Sequence, residues 1–163
     1  MKSNRSLWTP AVLAAAAVIA GALLWTGGPA SAVVSTLASA AATTVSGSVT
    51  GSPETVSFSG SVTINSNRVS DPDFGTPDSV VLSIDLSGMK GTGVSTKATY
   101  VVSSQDVIIR RLTAGDNIVV TFPFNRSGAG MSMSPRLGAA TLALSFDVTT
   151  GALTGARATV SNP

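Results

Sequence analysis

The segment Thr55–Ile64, T-V-S-F-S-G-S-V-T-I, decides the fold class of this chain because its residues alternate between two chemical kinds. Every second residue is apolar or glycine: Val56, Phe58, Gly60, Val62 and Ile64. The residues between them are all serine or threonine. An alternation with a period of two predicts a β-strand with one buried face and one solvated face.

A second copy of part of this segment lies just upstream. The five residues S-G-S-V-T of Ser46–Thr50 return in Ser59–Thr63. Because the turn-forming residues Gly51–Glu54 separate the two copies, we interpret them as the two strands of one hairpin. The predicted register places Val49 opposite Val56, Gly47 opposite Phe58 and Val45 opposite Gly60. This register is favoured for two reasons. A slip of one residue would turn serine and threonine toward the core. An aromatic side chain opposite a strand glycine, as Phe58 is to Gly47, is also stabilising.

Similar alternation recurs along the rest of the chain. It predicts about eight short strands, at Val45–Thr50, Thr55–Asn65, Ser79–Gly88, Lys97–Ser103, Val107–Leu112, Ile118–Phe124, Ala139–Val148 and Ala152–Val160. Met89–Gly93 is predicted to be a turn, and Thr149–Gly151 a three-residue hairpin loop with Gly151 in the left-handed conformation. Alternation on one face favours antiparallel pairing. We therefore expect residues 45–163 to form a single antiparallel β-sandwich or small β-barrel.

The first 32 residues have the features of a secretory signal peptide. Lys2 and Arg5 precede an apolar run, Ala11–Trp25, and Ala30-Ser31-Ala32 offers a cleavage site of small residues. We expect a signal-peptide helix at 1–32 that is cleaved after Ala32, with a retained anchor helix as the alternative. Residues 33–44, which are rich in alanine, serine and threonine, are predicted to be a linker. The expected location is secreted or periplasmic, or at the cell surface.

Composition excludes several chemistries. The chain has no cysteine and no histidine, so it has no disulfide, no catalytic imidazole or thiol, and no zinc or haem site of the usual kinds. Of its ten basic residues, two lie in the leader, and the other eight balance the eight acidic residues. A body with no net charge gives no reason to expect nucleic acid as a partner, or a membrane once the leader is removed.

Three short patterns were considered as sites. Asp71, Asp73 and Asp78 lie in one loop and could supply oxygen ligands to calcium, although the same residues are common in turns. Met131 and Met133 resemble thioether ligands for monovalent copper, but no histidine or cysteine accompanies them. Arg110 and Arg111 could form a clamp for an anion, but neighbours on a strand point to opposite faces, so a shared clamp is not expected. We assign no catalytic, cofactor-binding or metal-binding residue from the sequence.

The function expected from these observations is a structural or interaction role for an exported, non-enzymatic β domain. Its partner would be a protein that pairs with an edge strand or covers an exposed apolar patch. The alternative is a small β-barrel that carries an apolar ligand beneath a lid formed by Asn125–Gly138. Any binding site is expected at the irregular segments Ser66–Asp78 and Asn125–Gly138.

Overall fold

The computed structural model describes residues 34–70, 77–128 and 134–163, all within one compact unit. These residues form nine strands and no helix: β1 (Val34–Val49), β2 (Val56–Ser70), β3 (Ser79–Asp85), β4 (Met89–Gly93), β5 (Thr99–Val102), β6 (Gln105–Arg111), β7 (Gly115–Arg126), β8 (Arg136–Phe146) and β9 (Leu153–Ser161). The all-β prediction is confirmed. In this part of the chain no helix is long and apolar enough to cross a membrane. The predicted signal-peptide helix, 1–32, lies outside the described residues.

The hairpin predicted around Gly51–Glu54 is confirmed in its register. β1 and β2 are antiparallel, with Val49 opposite Val56, Gly47 opposite Phe58 and Val45 opposite Gly60. The pairing continues far beyond the predicted strands, to Val34 opposite Ser70. The inward residues Val56, Phe58, Val62 and Ile64 are almost completely buried, as the alternation of this segment predicts.

The residues from 34 to 44, predicted to be a linker, are instead the first part of β1. From Ser39 onward they alternate between half-buried and exposed positions, with Ser39, Ala41 and Thr43 turned inward. The sequence hides this alternation because small inward residues differ little in hydropathy from the serines and alanines on the outside. The strand forms there because the second half of β2 supplies a continuous antiparallel partner.

The nine strands form one mixed sheet in the order β1-β9-β8-β7-β5-β4-β2-β3-β6, and β1 also pairs with β2. That last pairing joins seven strands into a ring, from which β3 and β6 extend as an arm beside β2. The prediction of a purely antiparallel sheet is wrong, because β9 runs parallel to β1 over Val45–Gly47. Parallel pairing needs a long connection between the two strands, and here the whole domain supplies it.

The predicted turn Met89–Gly93 is also wrong, because this segment is β4, paired with both β2 and β5. Its glycines lie on the inward face, where larger side chains take their space. A Cβ on Gly91 would lie 2.8 Å from the ring of Phe58 and 2.7 Å from a methyl of Val56. Two glycines in five residues resemble a turn in sequence, but here they allow an aromatic side chain to lie against a strand.

Pro123, which has no backbone N–H to donate, lies inside β7 without ending the strand. β7 continues through Pro123 to Arg126, and β5 pairs only with residues Phe124–Arg126. The amide that proline lacks would point toward the β5 side, at a position just beyond the end of β5. The proline therefore removes no sheet hydrogen bond, as expected for a local edge position.

The last hairpin is predicted correctly only in part, because β8 ends at Phe146 and β9 begins at Leu153, so the loop is longer than the predicted Thr149–Gly151. Gly151 has a φ of 73°, the left-handed conformation that a glycine adopts readily. Beyond it, Leu144 faces Ala156 and Leu142 faces Ala158. A register shift at Ser145/Phe146 places Leu153 rather than Thr154 opposite Phe146.

Candidate functional site

Two regions of the described structure are candidates for a functional site: the surroundings of the buried Glu54 and the exposed edge of β6. The first surrounds Glu54, the only glutamate of the chain, at the end of the turn that joins β1 to β2. Its side chain is buried, with 8% of its surface exposed. One carboxylate oxygen accepts hydrogen bonds from the backbone N–H of Ser95 (3.1 Å) and of Thr96 (3.0 Å). The other accepts from the hydroxyls of Thr96 (2.6 Å) and Tyr100 (3.0 Å).

These donors hold Glu54 in its charged form. They lower its pKa from 4.5 to about 2, with the Thr96 hydroxyl as the largest cause, followed by the Thr96 amide, while burial acts in the opposite direction. The pKa of Tyr100 is raised, first by burial and then by its hydrogen bond to the carboxylate. A carboxylate with four donors and a lowered pKa is poorly suited to donate or accept a catalytic proton. Glu54 instead joins the β1–β2 turn to the β4–β5 turn.

A cavity of about 370 Å³ opens beside Glu54. Its wall includes Tyr100, Phe124, Arg126 and Arg136. Arg136 donates a hydrogen bond to the backbone carbonyl of Glu54 (2.8 Å), and its guanidinium carbon lies 5.0 Å from the centre of the Phe124 ring. Most of the surface that faces the cavity is apolar, and Glu54, Arg126 and Arg136 add charged groups to it.

The second place is the outer edge of the arm. Among the described strands, β6 pairs with β3 on one side and with no strand on the other. On its outward face Val107 and Ile109 are 68% and 70% exposed. Ile108, between them, packs against the core. The sequence left the phase of these three consecutive apolar residues ambiguous, and pairing with β3 decides it.

The backbone direction along β6 follows from two hydrogen bonds at its ends. Leu112 N–H donates to Asp78 C=O (2.8 Å), and Leu86 N–H donates to Ser104 C=O (3.0 Å). In an antiparallel pair the bonded positions alternate, so the even-numbered residues of β6 bond to β3. The N–H and C=O groups of Gln105, Val107, Ile109 and Arg111 therefore point to the unpaired edge.

This edge has few of the features that keep edge strands apart. Natural edges are blunted by lysine, proline, bulges or very short strands. The seven residues of β6, Q-D-V-I-I-R-R, contain neither lysine nor proline, and their register with β3 has no bulge. Charged side chains also blunt edges, and β6 has three of them, Asp106 near its start and Arg110 and Arg111 at its end, on either side of Val107–Ile109. The edge between these charges is therefore open to a further strand.

The residues considered for calcium are only partly described. Asp78 forms an ion pair with Arg68 and accepts a hydrogen bond from Ser70 (3.1 Å), and the Arg68 bond is the main cause of its lowered pKa. Asp71 and Asp73 lie outside the described residues, as do Met131 and Met133. Within the described ranges no group of three metal-binding side chains occurs. The calcium and copper hypotheses therefore stay untested.

Other acidic residues have structural partners. Asp116 forms two hydrogen bonds with Arg110, through Nε (2.7 Å) and Nη2 (3.1 Å). Asp85 accepts from the backbone of Ser87 (2.8 Å), and Asp147 accepts from that of Thr149 (2.7 Å). The pKa of Asp116 is lowered mainly by Arg110 and that of Asp147 mainly by the Thr149 amide, and the pKa of Asp85 is lowered first by the Ser87 hydroxyl and then by the Ser87 amide. Each of these aspartates is therefore engaged in a turn or an ion pair.

Sequence reasoning missed the cavity and located the edge only in general terms. It expected an edge strand as the site of contact but did not identify β6. The sequence of Gln105–Arg111 did indicate an exposed apolar face, because three consecutive apolar residues of a strand cannot all lie on one buried face. No protein-family model matches this chain, and the searches found no similar curated protein and no similar solved structure.

Proposed function

We propose that this chain is an exported, non-enzymatic β domain that binds a protein partner by strand addition at β6. One edge, β6, combines outward-pointing backbone groups with the side chains of Val107 and Ile109, which are more than two thirds exposed, and has no lysine, proline or bulge. This observation carries the proposal. Main-chain hydrogen bonds give such contacts affinity, and alternate side chains give them specificity.

The proposal that the domain is not an enzyme is supported by the hydrogen bonds and ion pairs that its acidic residues form. With no histidine or cysteine, catalysis would depend on carboxylates, lysine or tyrosine. Glu54 is occupied by four donors, and Asp78 and Asp116 by arginines. Export is supported by the basic start, the apolar run and the small-residue site of residues 1–32.

The alternative, a carrier of an apolar ligand, has weaker support. Its cavity should be internal and apolar, whereas the interior here is filled by large buried side chains such as Phe58, Phe122 and Phe124. The 370 Å³ cavity has a mostly apolar lining, but it is partly open to solvent rather than internal and includes Glu54, Arg126 and Arg136.

Site-specific photo-crosslinking in cells that produce the protein tests the proposal. A photoreactive amino acid replaces Val107 in one variant and Val119 in a matched control, because Val119 is also an exposed valine on a strand, at 64%. We expect a discrete protein adduct from position 107 and none from position 119. Equal labelling at both positions, or no adduct at 107, would refute binding at β6.

Intact-mass analysis of the secreted protein tests the export part. We expect the mass of a chain that begins at Val33. A chain that keeps its first 32 residues and stays with the membrane fraction would support the anchor alternative.

A further inference from the structure

We infer that the partner at the β6 edge is a second copy of this chain, paired antiparallel through β6 about a two-fold axis at Ile108. This inference rests on the proposed function and specifies its partner. It follows from the order of the residues in β6, which is complementary to itself when one copy is reversed. A two-fold axis produces such an isologous contact, in which the same residues serve on both sides.

The charges select the register. With Ile108 opposite Ile108 of the second copy, Asp106 of each copy lies opposite Arg110 of the other. Opposite charges on facing strand positions stabilise a sheet, and like charges destabilise it. Moving the centre to Val107 or to Ile109 would place Arg110 opposite an uncharged residue and lose both charge pairs. The register centred on Ile108 therefore has the best charge complementarity.

The backbone and the apolar residues fit the same register. Val107 lies opposite Ile109 of the second copy, and both residues point their N–H and C=O groups to the shared edge. Such pairs exchange two backbone hydrogen bonds, and their side chains meet on the outward face. Val107 and Ile109, now 68% and 70% exposed, would thus cover each other across the axis. Val81, half-buried beside Ile109 on β3, extends this apolar strip.

The Asp106–Arg110 pairs fall at the other kind of position. Because the odd-numbered residues form the hydrogen bonds of the new edge, Asp106 and Arg110 would be a non-hydrogen-bonded pair, with Cα atoms about 4.5 Å apart and side chains close together. Arg110 uses Nε and Nη2 for Asp116 within its own chain, and Nη1 takes no part in those two bonds. One guanidinium can therefore bridge Asp116 and the second copy's Asp106.

A pair of charge variants tests both the partner and the register. In Asp106→Arg, each copy would place arginine opposite arginine, and in Arg110→Glu, glutamate opposite aspartate. We expect sedimentation equilibrium of the full chain to show a dimer for the wild type, and a loss of association of about tenfold or more for each single variant, since two contacts change by symmetry.

Mixing the two variants gives the decisive result. An Asp106→Arg chain paired with an Arg110→Glu chain has opposite charges at both ends of β6, so we expect the mixture to form a one-to-one dimer although neither variant does so alone. A variant with Val119→Lys serves as the control for a new charge on an exposed strand position, and should dimerise like the wild type.

The outcomes separate this inference from the proposed function. A monomeric wild type, or single variants that remain dimeric, would overturn the self-pairing described here. In the crosslinking experiment, an adduct of twice the chain mass at position 107 supports the second copy. An adduct with a different protein overturns the second copy but keeps the proposed function. No adduct at 107 overturns both.

Discussion

At the scale of the residue, Glu54 shows how one carboxylate can organise two turns. Its four donors come from Ser95, Thr96 and Tyr100, which are more than forty positions away in the chain. Arg136 also donates a hydrogen bond to the backbone carbonyl of Glu54, which connects the start of β8 to the same turn. A group with this many partners stabilises the end of the ring while its charge is present.

We predict that Glu54→Gln lowers the melting temperature at neutral pH by several degrees. The amide offers only one acceptor oxygen, and its NH2 group would face donors unless the hydroxyls of Thr96 and Tyr100 turn to accept from it. Because the folded-state pKa of Glu54 is lowered from 4.5 to about 2, its contribution is fully present above pH 4.5 and is lost as the pH falls through about 2. The difference between wild type and variant should shrink over that range.

Thermal denaturation measured at a series of pH values checks this prediction. Tyr100→Phe, which removes only one of the four donors, is the graded control and should cost less than Glu54→Gln. A wild type and a Glu54→Gln variant with parallel pH profiles would contradict the assigned role.

Gly47 provides a second prediction at this scale. A Cβ on this residue would lie 2.0 Å from the backbone carbonyl oxygen of Val160 on β9, and a backbone group cannot move aside as a side chain can. We expect Gly47→Ala to lower the free energy of unfolding by about 2–3 kcal/mol, in the range of overpacked cores. Gly155→Ala is the control, because its Cβ would meet Ser145 at an ordinary 3.7 Å. Its effect should stay within about 0.5 kcal/mol in the same denaturation experiment.

At the scale of the element, β6 differs from the strands around it because only one of its edges has a partner in the described structure. Its inner face contributes Ile108 to the core, and its outer face leaves Val107 and Ile109 in solvent. The strand is thus held by β3 while half of its backbone groups remain available. This is the property on which both proposals depend.

Hydrogen exchange resolved to single amides checks this geometry. In the Asp106→Arg variant, expected to be monomeric, we predict protected amides at Ile108 and Arg110, which bond to β3, and fast exchange at Val107 and Ile109. The alternation should disappear in the wild-type dimer, where both sets are bonded. Protection at Val107 and Ile109 in a demonstrated monomer would contradict the assigned direction of the backbone.

At the scale of the whole molecule, the ring is held together across its interior by aromatic side chains. Phe58 of β2 contacts Phe124 and Phe122 of β7 edge to face, with ring centres 4.9 Å and 5.6 Å apart. β2 and β7 are not neighbours in the sheet, so these contacts join opposite walls. Tyr100 continues the cluster from Phe124 toward Glu54.

We predict that Phe58→Ala lowers the free energy of unfolding by about 3–5 kcal/mol, the usual cost of removing a buried aromatic ring. The exposed Val119→Ala, on the outer face of β7, should change it by no more than about 0.5 kcal/mol. Thermal or denaturant unfolding measures both. A loss below about 1 kcal/mol for Phe58→Ala would show that this cluster does not hold the ring together.

Much of the fold was predictable where neighbouring residues differ strongly in polarity. The contrast between Phe58 and its serine neighbours was enough to predict both the buried face and the register with β1. The same reasoning failed at residues 34–44 and at Met89–Gly93, where small residues or glycines occupy the inward positions. The four hydrogen bonds to Glu54 and the edge position of β6 could not be predicted from neighbouring residues, because both depend on segments distant in the chain.

Local sequence was sufficient for the all-β class, the β1–β2 hairpin with its register, and the chemistries that a chain without histidine or cysteine cannot use. These follow from local alternation and composition, which act over a few residues. The parallel pairing of β9 with β1, the ring, and the identity of the edge strand became apparent only in the folded structure. Those features depend on which strands become neighbours, and strand pairing joins residues far apart in sequence that carry no local sign of their partner.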